Sequence, residues 1–255
     1  MLTADQLLEE LLKRARGQKT QTESVPTELS LGRVLAQSQV AMISVPPLDN
    51  SAMDGYAVRA ADCSPGARLT VTQRIAAGQV GETLALNSVA RIFTGAPIPS
   101  GADAVVMQED CVQEGDQVQI NRLPEAGAHI RRAGEDIRPG DIILPAGTRL
   151  GAAEMGLAAS VGLAELPVYR RLKVASFSTG DELVQPGAIL GAGQIYNSNR
   201  YTLAGLVQGL GCEWLDLGSI PDTLTSTLDA LQRAAAIADV VITSGGVSVG
   251  EEDHV

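Results

Sequence analysis

The sequence has only two histidines, His129 and His254. That is too few to build a histidine zinc site or a Ser-His-Asp hydrolase, and both are read as non-catalytic. Its three cysteines, Cys63, Cys111 and Cys212, lie far apart with no CxxC pair. Neither a disulfide framework nor a thiolate zinc site is indicated, and a reducing cytosol fits best. Aromatic residues are 3% of the chain, so Trp214 and its few companions are read as core rather than as a base-stacking platform. Basic residues are in deficit: 19 Lys and Arg against 30 Asp and Glu leave a net charge of -11, which argues against nucleic acid or an anionic membrane as partner. No apolar run approaches ~18 residues, and the N-terminus opens on a polar amphipathic segment. The expectation is a soluble, cytoplasmic protein without an export signal.

What is abundant is glycine (27), proline (12) and hydrophobic residues (45%), which together describe a multi-domain globular chain with many turns. Residues 3–16 place Leu7, Leu8, Leu11 and Leu12 on one helical stripe behind a Thr3/Gln6 capping box. A second helix is expected over 26–37, with Pro26 near its start and Leu29, Val34 and Leu35 toward a core. Both helices need a partner surface. Between residues 45 and 127 the pattern becomes short β-prone runs, RLTVTQ, ARIFTG, DAVVMQ and QVQINR, and residues 151–163 return to helical composition. The expected fold is therefore multi-domain α+β: a discontinuous, elongated helical region (1–43 and 128–168), a small inserted β-barrel or sandwich (44–127), and an α/β parallel-sheet domain, Rossmann-like, over 169–255.

In that last region LKVASF, CEWLDLGSI and DVVITS read as strands, with NRYTLAGLVQGLG and LTSTLDALQRAAAIA as the helices between them. Ligands of such sheets bind at the carboxyl ends of the strands, where the loops FSTGDE and SGGVSVGEED follow. The chain stops at Val255 directly after the second loop, so this domain is expected to be incomplete and the sequence truncated.

The second loop offers Ser244, Gly245, Gly246 and Ser248, whose bare amides and hydroxyls suit a phosphate cradle, although a plain turn is the competing reading. It is not a P-loop, since GxxxxGK[ST] is absent. The first loop supplies Ser178, Thr179, Gly180, Asp181 and Glu182; Asp222 follows the second strand, and Asp253 follows the glycine loop. Carboxylates beside a phosphate repel it unless a hard cation intervenes, and Mg²⁺ bound through one or two of these carboxylates resolves the conflict. Asp222 has a competing role as a helix cap. In the first half, PPLDNSAMDGYAV carries Asp49 and Asp54, FTGAPIPSGADAVV carries Thr94, and RRAGEDIRPGD carries Asp136 with Arg131 and Arg132; ordinary loop chemistry and surface ion pairs compete with a ligand role.

Taken in order, DNSAMDGYAV, RIFTGAPIPSGADAVVMQED, RRAGEDI, FSTGDEL, GQIYNSNR and ITSGGVSVGEED resemble the MoeA-type molybdopterin molybdenumtransferase family, to which the E domain of gephyrin is similar. The resemblance covers essentially the whole chain. It implies a cytosolic homodimer whose substrates are adenylylated molybdopterin and molybdate, with Mg²⁺ held by Glu182, Asp222 and Asp253 as cofactor, AMP as product, and an adenylyltransferase supplying the pterin nucleotide. It also implies that Asp54, Thr94, Asp136, Glu182, Asp222 and Asp253 carry the reaction, and that Asp54 and Asp136 face the α/β domain of the other subunit. Asn197, in QIYNSNR, stands where the family commonly has aspartate and joins the cofactor-binding set. A PGKP-like segment, a GLPGNP-like segment and a C-terminal β domain of the family are absent from this sequence. Two alternatives stay open: a related molybdopterin adenylyltransferase, and a non-catalytic gephyrin-like scaffold or inactive fragment.

Overall fold

In the computed structural model, which describes residues 3–16 and 20–246, the last six residues of the strand Lys173–Thr179 are all buried. A strand apolar on both faces belongs in the middle of a covered parallel sheet. It does sit there, between Glu213–Ile220 on one side and Val240–Ser244 on the other, both parallel to it. The crossovers are the helices Ser198–Gly209 and Leu224–Ile237. Asn197 and Thr223 cap them, each accepting an amide three residues on. Phe177, Ile220 and Ala230 form the core beneath the second helix. Trp214 donates its indole N–H to Ser176 Oγ at 2.7 Å, tying the outer strand to the central one.

The contacts divide the chain into two compact units, and the α/β sheet belongs to the one formed by Met1–Ala36, Arg149–Gly151 and Glu165–Val255. There Thr22–Pro26 pairs antiparallel with Glu165–Tyr169, and the helix Ala4–Ala15 begins with the expected Thr3/Gln6 capping box. The leucine stripe of that helix is not covered by the described residues: Leu7, Leu8, Leu11 and Leu12 are 50–56% exposed.

The helix expected over 26–37 does not form. Pro26 closes a strand, Thr27–Leu29 is a single 3-10 turn, and Gly32 takes φ 73°, which breaks any helix there. Leu35 is buried, bridged to Val168, but Leu29 is 66% exposed and faces no core. More broadly, residues 1–43 and 128–168 hold two α-helices, Ala4–Ala15 and Ala152–Ser160, and otherwise short paired strands, so the expected helical character of this region is corrected. The pairs Thr22–Pro26/Glu165–Tyr169 and Gln39–Val40/Ile142–Leu144 join segments more than a hundred residues apart, a tertiary pairing that local periodicity does not encode.

The second unit, Gln37–Thr148 with Ala152–Ala164, is built on one six-stranded sheet. Its order is Ala104–Met107, Gly55–Val58, Ser88–Ile92, Arg68–Ile75, Gln117–Ile120, Cys111–Glu114. The four β-prone runs are thus strands, in a single sheet open between its edge strands rather than a closed barrel or two packed sheets. Both faces are covered: Tyr56, Val58 and Val106 enter one core and Ala57 and Val105 the other, by the strict alternation of a strand. Gly55 permits the tight pairing, since a Cβ there would lie 1.9 Å from Val106 O. Among the described residues no helix is long and apolar enough to cross a membrane.

Candidate functional site

The strand order of the parallel sheet reverses at its first strand, which is where an open α/β sheet leaves a crevice at the carboxyl ends. The two strands flanking that crevice end at Thr179 and Ser244, and a cavity of about 190 Å³ lies there, lined by Thr179, Glu182, Asn197, Asn199, Ser244 and Gly245 among others. Two of the lining residues are nearly closed off from solvent, Thr179 at 5% and Asn197 at 2% exposure.

Each lining group has a distinct status. Asn197 is spent on the protein: its amide nitrogen donates to Ser178 Oγ (3.0 Å) and Ser219 Oγ (3.2 Å), and its oxygen accepts from Arg200 N (3.1 Å). As asparagine it supplies both donors without a charge, and it fixes Ser178 from behind. Ser244 Oγ accepts from Asn199 Nδ2 at 2.9 Å. Thr179 Oγ1, by contrast, is buried and has no hydrogen-bond partner among the described residues. A buried hydroxyl without a partner costs about 1–3 kcal/mol, so it marks a place where a ligand or water completes the structure.

The glycines are required by contact as well as by dihedral. Gly180 takes φ 143°, and the Glu182 carboxylate lies over it, 2.6–2.9 Å from where a Cβ would be. Gly245, at φ 98°, would drive a Cβ to 2.5 Å from Thr179 O. Asp181 is exposed, Asp222 is half-buried, and neither lines the cavity. The cap of the helix Leu224–Ile237 is Thr223, so Asp222 is not consumed in that role. Gly246 follows Gly245 at φ 62°; Ser248 and Asp253 lie outside the described residues.

The donor set is entirely hard: one carboxylate, Glu182, with hydroxyl and amide oxygens. Among the described residues no group of three or more His, Cys, Asp or Glu is gathered to hold a metal alone. A soft or tetrahedral metal does not fit such a set. Mg²⁺, which takes one or two carboxylates and leaves its other positions to water and substrate phosphate, does.

The second unit brings its three motifs together. Asn50–Ser51 pairs with Ile130–Arg131, and Ser51 exchanges backbone hydrogen bonds with Gly95 and Ala96. Asp54 Oδ1 accepts from both the amide and the hydroxyl of Thr94, each at 2.8 Å. Those two bonds, the amide first, hold the Asp54 carboxyl below the usual carboxylate range. Asp49 is held low likewise, first by the Ala133 amide and then by Arg132, 2.6 Å away. Arg131 grips Asp136 with one nitrogen 2.7 Å from both oxygens. Asp54, Thr94 and Asp136 thus belong to one ordered loop cluster, in which Asn50 Oδ1 is a further buried oxygen without a partner among the described residues.

Sequence reasoning singled out neither Asn199 nor Asn50. Asn199 sits in the quoted GQIYNSNR, two residues past the helix cap, and that spacing was the available signal. Asn50 offers none, because its burial depends on pairing with Arg131, eighty residues away.

A reversed parallel sheet with an oxygen-lined crevice, a partnerless hydroxyl and a flanking glycine pair defines an α/β protein equipped to hold an anionic ligand. Comparison with known proteins agrees and goes further. Residues 2–162 match the family described as MoeA N-terminal region (domain I and II), and residues 175–255 match "Probable molybdopterin binding domain". The chain belongs to the MoeA family. The molybdopterin molybdenumtransferase of Haemophilus influenzae is 44% identical over 255 residues, 99% of this chain and 63% of that protein. That of a Nostoc species is 44% identical over 240 residues, 92% of this chain and 55% of its own length. Two solved structures of the molybdopterin biosynthesis MoeA protein from Pyrococcus horikoshii superpose with TM-scores of 0.82 and 0.81 at 36% and 33% identity, covering 94% and 88% of this chain and 63% and 62% of theirs. The chain therefore spans less than two thirds of the relatives it matches.

Proposed function

We propose that the chain is the greater part of a molybdopterin molybdenumtransferase, a cytoplasmic enzyme that inserts molybdenum from molybdate into adenylylated molybdopterin and releases AMP. The observation that carries this reading is the buried Thr179 Oγ1 facing Gly245 at the carboxyl edge of the sheet, a hydroxyl without a partner among the described residues and placed to donate to a phosphoryl oxygen. The reading has the Thr179 hydroxyl and the amides of Gly245 and Gly246 bind phosphate, with Ser178, Ser244 and Ser248 beside them and Asn197 holding Ser178 in place. Asp181 and Gly180 shape the turn that carries Glu182.

Glu182 would hold Mg²⁺ together with Asp222 and Asp253; when bound, the ion supplies neutralisation of phosphoryl charge. Asp54 with Thr94, and Asp136 with Arg131, are assigned to the same reaction from the second unit. Asp54 enters as an ordered carboxylate rather than as a proton donor, in keeping with the lowering of its carboxyl by the Thr94 amide and hydroxyl. A homodimer is part of the proposal, and the uncovered stripe of Leu7, Leu8, Leu11 and Leu12 supports it. The related adenylyltransferase would supply the pterin nucleotide.

The test is AMP release by the full-length protein from adenylylated molybdopterin with molybdate and Mg²⁺. Wild type releases AMP, and Glu182→Gln and Asp54→Asn lower the rate at least tenfold. Full activity in both variants would remove the assignment of these acids. Consumption of ATP with unmodified pterin would assign the protein instead as the adenylyltransferase.

A further inference from the structure

At the opposite, amino edge of the parallel sheet lies a second cavity, of about 250 Å³, that the reading above does not use. Four of the chain's 19 basic residues line it, Arg33, Arg149, Arg170 and Arg171, and no aspartate or glutamate does. In a chain of net charge -11 this concentration of guanidinium groups runs against the general surface. It is also built rather than accidental. Arg33 is 9% exposed and is fixed by Glu23 and by Tyr169 O at 2.8 Å. Arg170 is clamped by both oxygens of Asp239, at 2.7 and 2.6 Å, and reaches Arg171 O. Arg149 donates to Leu210 O at 3.2 Å and lies against Gly211, whose missing Cβ would sit 3.3 Å from its terminal nitrogen.

The charge balance specifies a ligand. Glu23 and Asp239 neutralise Arg33 and Arg170. Arg149 and Arg171 have no carboxylate partner among the described residues, which leaves two positive charges and a fork of free guanidinium donors around one concavity. Planar guanidinium forks match tetrahedral oxyanions in geometry, and two uncompensated charges match a dianion. The central strand is seven residues long, so this pocket stands roughly 20 Å from the crevice at Thr179. We infer that the arginine pocket at the amino edge of the sheet binds a phosphate-type dianion, free or as the terminal group of a small monoester, at a site separate from the proposed catalytic crevice.

Cys212 lines the same pocket and provides a local probe that phosphate at the crevice does not reach. The experiment is alkylation of the full-length protein by iodoacetamide, with the rate at each cysteine read by peptide mass spectrometry. It is run at constant ionic strength in chloride, in inorganic phosphate, and in ribose 5-phosphate. Phosphate or the monoester slows modification of Cys212 several-fold and leaves Cys63 and Cys111 unchanged. The concentration for half-protection rises about tenfold in Arg171→Gln and again in Arg149→Gln, each of which loses one charge-assisted contact. Arg171 is exposed, so its variant folds normally, and glutamine at 149 keeps a donor for Leu210. Thr179→Val leaves the protection intact, separating this site from the crevice. Protection by both anions marks the free ion as ligand, and protection by ribose 5-phosphate alone marks the monoester. Equal rates in all three solutions, or protection that survives both arginine variants, overturns the inference.

Discussion

Thr179 and Gly245 close the crevice from opposite strands: a Cβ on Gly245 would lie 2.7 Å from Thr179 Oγ1 and 2.5 Å from Thr179 O. The threonine hydroxyl reaches the cavity only because its neighbour has no side chain. Substituting each residue separates what this contact does for folding from what it does for binding.

Gly245→Ala combines a left-handed backbone at φ 98° with a clash against backbone oxygen that no rotamer change relieves. It lowers stability by about 1–3 kcal/mol and abolishes binding of the proposed pterin-nucleotide substrate. Thr179→Val keeps the shape and removes the partnerless hydroxyl, so stability is unchanged or up by about 1 kcal/mol while substrate affinity falls about tenfold. Chemical denaturation and equilibrium binding measure the two halves. Parallel loss of stability and affinity in Thr179→Val would mean the hydroxyl is structural.

Asn197→Ala removes a helix cap and two side-chain hydrogen bonds in a buried setting. A loss of about 2–3 kcal/mol is expected. Asn197→Asp keeps the cap acceptor and costs less. Urea midpoints for the two variants give the ranking, and an equal loss would show that the cap contributes nothing.

Asp239 carries a pH dependence. Its hydrogen bonds to Arg170, and then to the Lys173 amide, pull its carboxyl from 3.8 down to about 2. A folded value below the unfolded one contributes stability in full above about pH 5, and that contribution is lost as pH falls through about 4 toward 2. The Tm difference between wild type and Asp239→Asn is therefore constant from pH 5 to 7 and shrinks below pH 4. A difference independent of pH would assign the effect to packing.

Leu8→Asp with Leu12→Asp leaves the chain's own core untouched, because both residues are already about half exposed. If the proposed dimer forms through this stripe, sedimentation of the full-length protein shows the dimer for the wild type and a monomer for the variant. An unchanged sedimentation coefficient would move the interface elsewhere.

The α/β region was legible almost element by element, because its strands are apolar runs alternating with helical segments, although the cap of the second helix is Thr223 where the sequence offered Asp222. The crevice was legible too, since loops after strands are where ligands of such sheets bind. Residues 26–37 misled because Leu29, Val34 and Leu35 imitate helical spacing, while Gly32 and the pairing with 149–168 decide the backbone. Asn197 read as a ligand from its motif; that its amide is consumed by Ser178, Ser219 and Arg200 depends on three segments meeting. The convergence of Asp54, Thr94 and Asp136 in one cluster followed from no local pattern.

The chain has a single tryptophan, and Trp214 pairs with Val174 while its indole donates to Ser176 on the central strand. Val174 stands two residues past Leu172 of the arginine pocket, so the indole lies toward the amino side of the sheet. The protein thus carries its own optical reporter: emission excited at the indole band comes from one position, needs no label, and reads the parallel sheet from within.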